Sequence, residues 1–258
     1  MSFARPEIQA MRAYVPGEQP QVGKCIKLNT NENPYEPSEK VVQAISQAAR
    51  QGLSRYPDAA ATAFRLRAGQ LWDIPPEWIL CGNGSDDLLT IITRAFVGSG
   101  QRLRLPYPSY VLYRTLAEIQ GARFEEIRFQ PNWSLPTSFA DSSPDLRVVY
   151  LPNPNSPSGT VIPPEQILEW ADRLPCPLVV DEAYADFSDH HCIPLVAQNE
   201  KILVTRTLSK AYALAGLRFG YLIAQPQVIR DLAKVKDSYN CDSLSIAGAT
   251  AAIDDQEW

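Results

Sequence analysis

From Ile79 onward, short apolar runs alternate with amphipathic helical segments, and this alternation narrows the fold more than any other feature of the chain. Ile79-Leu80-Cys81, Arg102 to Leu105, Phe124 to Phe129, Arg147 to Leu151, Leu178-Val179-Val180, Ile202 to Thr205 and Leu217 to Ala224 read as strands. Helices are expected from Leu88 to Val97, up to about Gln120, from Pro164 to Leu174 and from Pro226 to Lys236. Strands without polar alternation are buried on both faces, which calls for helices on both sides of a largely parallel sheet. The expected fold class is α/β, a three-layer αβα sandwich around a mostly parallel sheet.

Upstream, Ser38 to Gly52 reads as a helix capped by Ser38 and ended by Gly52, with Val41, Val42, Ile45, Ala48 and Ala49 as its apolar face. Thr62 to Leu71 reads as a second amphipathic helix. Residues 1–35 are rich in Pro, Asn and Gln without a clear period, and read as an irregular arm. Residues 36–245 form one large domain on this reading, with Pro131 to Pro144 its loosest segment. Gly248 to Trp258 reads as the start of another helix.

Composition removes several function classes. A formal net charge of -5 gives no basic surface for nucleic acid. No apolar run is long enough to span a bilayer. Met1 to Pro16 carries Arg5, Glu7 and Arg12 without an apolar stretch, unlike a secretory signal. The cysteines (Cys25, Cys81, Cys176, Cys192 and Cys241) are odd in number and widely spaced, which suits reduced thiols in a cytoplasm. His190-His191-Cys192 reads as a polar loop, since adjacent residues rarely face one ion, so no metal site is expected.

The chemistry gathers where strands end, which is where open α/β sheets bind ligands. Thr207 to Gly220 reads T-L-S-K-A-Y-A-L-A-G-L-R-F-G and places Lys210 and Arg218 in small and apolar surroundings. A desolvated lysine is a nucleophile for a carbonyl, and an arginine fork suits a phosphate. The plainer reading is a snorkelling lysine and a structural ion pair. Gly82-Asn83-Gly84-Ser85-Asp86-Asp87 opens a helix, so its amides can hold a phosphate, although it lacks the third glycine of the dinucleotide fingerprint. Asp181, at a strand end, is either an ordinary cap or the partner of a pyridine nitrogen. Tyr184 can donate to a ring hydroxyl, and Tyr110 can stack on a ring, though each alone is more often core or turn.

Together with Leu28 to Pro34 (L-N-T-N-E-N-P), Arg55-Tyr56-Pro57, Pro106 to Tyr110, Asn153 to Gly159 and Asp181 to Tyr184 (D-E-A-Y), these pieces span nearly the whole chain. In that order they resemble the fold-type I pyridoxal 5'-phosphate (PLP)-dependent aminotransferases. The likeness is nearest to members that move the amino group of L-histidinol phosphate to 2-oxoglutarate in histidine biosynthesis. It implies that Lys210 bonds the cofactor aldehyde and moves the proton between Cα and C4'. It implies that Asp181 pairs with the pyridine nitrogen, Tyr184 with the phenolic oxygen, and Tyr110 with the ring face. Ser85, Asp86, Thr207, Ser209 and Arg218 are implied to bind the phosphate. Tyr56 is implied to reach the cofactor of a neighbouring subunit, hence a homodimer. Asn31 and Tyr110 are implied to line the pocket for the amine donor and 2-oxo acid.

Two departures stand out. The family's N-P-N-N-P-T-G is here N-P-N-S-P-S-G, so the contact to the ring oxygen falls to Asn155 or to Ser156. The family also continues into a small domain carrying an arginine for the substrate carboxylate, and nothing after Lys236 supplies one. Residues 246–258 then read as the start of the connection to that domain, and the 258-residue chain as an incomplete catalyst. The alternatives are a threonine-phosphate decarboxylase of the same family, or a PLP-binding fragment without turnover.

Overall fold

The computed structural model of the chain describes residues 2–11 and 27–258, so Arg12 and Cys25, in the arm, lie outside the described residues. In chain order the elements are α1 (Pro6–Ala10), α2 (Glu39–Gln51), α3 (Thr62–Trp72), β1 (Ile79–Gly82), α4 (Ser85–Phe96), β2 (Arg102–Tyr107), α5 (Leu112–Ile119) and β3 (Arg123–Arg128). They continue with β4 (Leu146–Pro152), α6 (Pro164–Arg173), β5 (Leu178–Asp181), α7 (Leu195–Gln198), β6 (Ile202–Thr207), β7 (Gly220–Ile223), α8 (Pro226–Ala233) and α9 (Ser243–Asp254). Among the described residues, no helix is long and apolar enough to cross a membrane.

The strands form one seven-stranded sheet in the order β1-β7-β6-β5-β4-β2-β3. β7 is antiparallel to both β1 and β6, and the other pairings are parallel. Six strands therefore point one way and β7 runs against them. Alternation within each strand feeds two cores. Val148, Tyr150, Val179, Leu203 and Leu222 pack with α4, α5 and α8. Val149, Leu151, Val180, Val204 and Tyr221 pack with α2, α3, α6 and α9. This is the three-layer α/β arrangement expected from the alternation.

Several boundaries differ from the sequence reading. α4 starts at Ser85, because the polar Ser85-Asp86-Asp87 forms its first turn. Asp and Ser suit a first turn, where the helix dipole is positive. The last strand is shorter than Leu217 to Ala224, because Ala215–Leu217 forms a 3-10 turn and Arg218 has φ +56°. Val42 and Ala49 are exposed, so α2 buries a narrower strip than its apolar spacing suggests. Pro131 to Pro144 is not loose throughout, since Phe139 is fully buried against Trp170 at 5.0 Å between ring centroids. The helix expected at Gly248 begins at Ser243, where Asp242 accepts hydrogen bonds from the Leu244 and Ser245 amides.

α9 lies against α2 and α3. Its end is tied to the start of α2, where Ser38 caps the helix, donates to Asp255, and Lys40 Nζ lies 2.5 Å from Asp255 Oδ1.

Gly220 opens β7 where three segments meet. A Cβ there would lie 2.6 Å from the Ser85 amide nitrogen and 2.8 Å from the Arg206 carbonyl oxygen. Both are backbone atoms and cannot turn aside. Gly220→Ala is expected to cost about 1–3 kcal/mol in a denaturant titration, the usual range for overpacking. Gly216→Ala, where nothing lies within 4 Å of the added carbon, is the control and should be near neutral. Equal midpoints for the two variants would refute the crowding at Gly220.

Candidate active site

A cavity of about 460 Å³ opens at the carboxyl edge of the sheet. β4, β5 and β6 deliver Pro152, Asp181 and Thr207 to it, and the reversed β7 starts there. Its wall includes Ser85, Asp86, Tyr110, Ser156, Tyr184, Ser209, Lys210 and Arg218. Most of the residues singled out from the sequence thus meet in one place.

Lys210 follows β6 in a tight turn. Its Nζ donates to the carbonyls of Thr30 at 2.9 Å and Asn31 at 3.3 Å, and lies 5.6 Å from the Tyr184 ring centroid. The amide-rich segment from Leu28 to Pro34 closes over it. Asn33 Nδ2 donates to the Lys210 and Ala211 carbonyls, each at 3.1 Å, and Asn31 Nδ2 donates to the Tyr184 hydroxyl at 3.0 Å. These amides therefore hold an arm to the site, rather than only capping turns.

Asp181 is 4% exposed. Tyr113 donates its hydroxyl to Oδ2 at 2.7 Å, while Thr205 and the Ala183 amide each donate to Oδ1 at 3.3 Å. Burial pushes the carboxyl above its ordinary range, and the Tyr113 donation is the largest effect pulling it back.

A third group forms the anion-binding end. Gly84, with φ +86°, turns the chain into α4, so the first amides of that helix face outward at its positive end. Arg218 Nη2 lies 3.7 Å from Asp86 Oδ2, and a Cβ on Gly84 would come within 2.6 Å of that nitrogen. Thr207 donates its hydroxyl to Ser209 Oγ at 2.9 Å and accepts from the Ser209 amide at 3.2 Å. Tyr110 donates to Asp86 Oδ1 at 3.1 Å. Arg218 is not buried in an apolar run as its neighbours suggest. Its side chain is 46% exposed and faces the cavity, because the left-handed backbone at that residue turns it out of the strand.

Residues 23–258 match the profile of the family Aminotransferase class I and II.

The chain belongs to that family.

It is 60% identical over 255 residues to a histidinol-phosphate aminotransferase of Rhodopirellula baltica, covering 98% of this chain and 70% of that one. It is 42% identical over 258 residues to histidinol-phosphate aminotransferase 1 of Trichormus variabilis, covering 100% of this chain and 73% of that one. The fold matches the crystal structure of histidinol-phosphate aminotransferase from Sinorhizobium meliloti in complex with pyridoxal-5'-phosphate, with a TM-score of 0.87 and 25% identity. That match covers 100% of this chain and 72% of the other.

Asn155 and Tyr56 lie outside the cavity of this aminotransferase, and for Tyr56 the expectation concerns a neighbouring subunit's cofactor. Asn155 is 3% exposed, and its Nδ2 donates to Ser158 Oγ at 2.8 Å and to the Pro108 carbonyl at 3.3 Å. Ser156, not Asn155, stands on the cavity wall. Tyr56 is 81% exposed and stacks on Tyr239 at 4.5 Å, away from this wall.

The sequence reading also missed residues in and behind the wall. Tyr113 and Thr205 touch Asp181 directly. Tyr113 carried one signal, its place three residues after Tyr110 at the head of a helix. Behind Asp181, Glu182 is 1% exposed, with its Oε2 2.9 Å from Arg206 Nε. Arg206 also lies 2.5 Å from Asp186 Oδ1 and 4.8 Å from the Trp72 ring centroid. Burial pushes the Glu182 carboxyl up to about 7, against the pull of Arg206. This pair ties the loop after β5 to β6.

Proposed function

We propose that the chain is a PLP-dependent aminotransferase that transfers the amino group of L-histidinol phosphate to 2-oxoglutarate, in histidine biosynthesis. The products are imidazole acetol phosphate and L-glutamate. The observation that carries this reading is the presence of Lys210, Asp181 and the Ser85–Arg218 end in one cavity. The names of the two relatives support the choice of substrate. The enzyme is read as a cytoplasmic homodimer, with the exposed Tyr56 reaching the neighbouring subunit's cofactor.

The residues present fit PLP. Gly84 and Gly220 leave room for backbone and guanidinium to come close, as a phosphate requires, and a buried carboxylate faces the cavity from the end of β5. When bound, PLP supplies an electron sink for charge developing at the substrate Cα. Lys210 Nζ would hold the cofactor at its aldehyde and, once displaced there by the substrate amine, would be free to move a proton between Cα and C4'. Asp181 holds a proton at the ring nitrogen. Tyr184, its hydroxyl oriented by Asn31, donates to the phenolic oxygen, with Ser156 beside it. Tyr110, on the cavity wall, would lie against the ring face. Ser85 and Asp86 amides, the Thr207 and Ser209 hydroxyls and the Arg218 fork hold the phosphate. Asn31 and Tyr110 line the substrate side, and the Thr30 and Asn31 carbonyls orient Lys210 Nζ.

Borohydride reduction of the purified chain with PLP is expected to fix the cofactor to a single peptide containing Lys210. Labelling at Lys201 or Lys234, or no labelling, would overturn the assignment. Offered L-threonine phosphate instead, the enzyme should release no carbon dioxide; release would favour the decarboxylase reading.

A further inference from the structure

Tyr113 lies in the lining of the cavity, beside Asp181 and Tyr110. Its ring is fully buried. One face stacks on Tyr150 at 4.8 Å with 6° between the planes. The Tyr150 and Thr93 hydroxyls lie 2.6 Å apart, and both also bond the Leu89 carbonyl of α4. The ring is therefore clamped. Its edge meets Tyr110 at 5.7 Å and 90°. Its hydroxyl donates to Asp181 Oδ2 at 2.7 Å, the shortest of the three contacts made to that carboxyl. Burial keeps the phenol protonated, so it serves as a donor.

We propose that Tyr113 is a positioning residue, which fixes Asp181 and sets how firmly that carboxylate holds a proton at the cofactor's ring nitrogen. The same ring supports Tyr110 at the cavity. The inference rests on the PLP reading only for its second half. A hydrogen bond to the charged form of an acid lowers its pKa. Tyr113 thus makes Asp181 a weaker base, and a weaker base leaves the shared proton on the ring nitrogen. Without the donor the proton moves toward the carboxylate. The other groups facing Asp181 are the Thr205 hydroxyl from β6, the Ala183 amide from its own loop and the Asp86 carboxylate from α4, and only the last opposes ionisation.

Tyr113→Phe removes one oxygen and keeps both ring contacts, so the fold should be retained. The first measurement uses the chain without cofactor and follows Asp181 by carboxyl 13C NMR across pH. Tyr113→Phe is expected to raise its midpoint by about 1 pH unit or more. Thr205→Val, which removes a longer contact, should shift it the same way by less. An unchanged midpoint in Tyr113→Phe overturns the proposal, whether or not PLP binds. The second measurement uses chain loaded with 15N-labelled PLP. The ring-nitrogen shift is expected to move toward its neutral position in Tyr113→Phe, and a shift equal to the parent's would overturn the tuning role. If the parent chain binds no PLP, the function proposed above fails, while the carboxyl titration still decides the role of Tyr113 toward Asp181.

Discussion

Lys210→Ala is expected to lower the rate of amino transfer by about 10⁴-fold or more, the upper range for a single positioned acid–base group. Loss of the covalent link to the cofactor adds to that. The competing explanation is that Lys210 is a fastener, because its Nζ donates to the Thr30 and Asn31 carbonyls. Lys210→Arg separates the two. An arginine keeps a cation and donors for those carbonyls, but it is not deprotonated in proteins and forms no bond to the aldehyde. The expected result is that Arg restores the thermal midpoint lost in Lys210→Ala and none of the rate. Single-turnover absorbance, following the conversion of bound PLP by an amine donor, reads the rate directly. Appreciable conversion in Lys210→Arg would remove Lys210 from the chemistry.

Asp181→Asn is the second large effect, and its value lies in an opposite movement of rate and stability. An amide cannot hold a proton at the ring nitrogen, so the rate should fall by about 10²- to 10⁴-fold. The one remaining oxygen can keep the Thr205 and Ala183 donations, while the amide nitrogen faces the Tyr113 hydroxyl, which can turn to accept from it. A buried amide costs less than a buried carboxylate, so the variant without cofactor should be as stable as the parent or more so. The pH dependence has a definite sign. Burial raises the folded-state pKa of Asp181, so its stabilising effect is present at acid pH and lost as pH rises through the raised value. The parent's thermal midpoint should therefore decline over that interval by an amount that Asp181→Asn does not show. A full rate in Asp181→Asn, or identical pH profiles for the two, would count against this role.

Lys210, Asp181 and the Gly82–Asp87 loop were legible because strand ends are legible. An apolar run followed by a polar or glycine residue marks the carboxyl edge, and residues just after it face one ligand. Arg218 was found for the wrong reason. Its neighbours are apolar, yet its left-handed φ turns the side chain out toward the cavity, and a sequence does not display the φ of a non-glycine residue. Asn155 and Ser156 could not be separated because adjacent loop residues point in different directions. Here Ser158 and the Pro108 carbonyl hold the Asn155 amide away from the wall. Tyr113 is a buried part of the wall, and the Glu182–Arg206 pair lies behind it. They are set by packing between distant segments, and no local pattern encodes such contacts.

The reversal of β7 decides how the two cations are delivered. In an all-parallel sheet, only residues that follow a strand reach the ligand edge. A strand entering from that edge lets a residue that precedes it serve as well. Were β7 parallel to β6, its first residue would sit at the opposite edge, about 10 Å away along the strand. Instead Thr207 pairs directly with Gly220, and the Leu208 amide bonds the Phe219 carbonyl, so Lys210 and Arg218 sit on one closed excursion between paired strands. The spacing between the group that bonds the aldehyde and the group that grips the phosphate is therefore a property of loop length. A relative with one residue more or fewer between 210 and 218 would have to rebuild both contacts at once, while the same change between other elements of the sheet would leave them untouched.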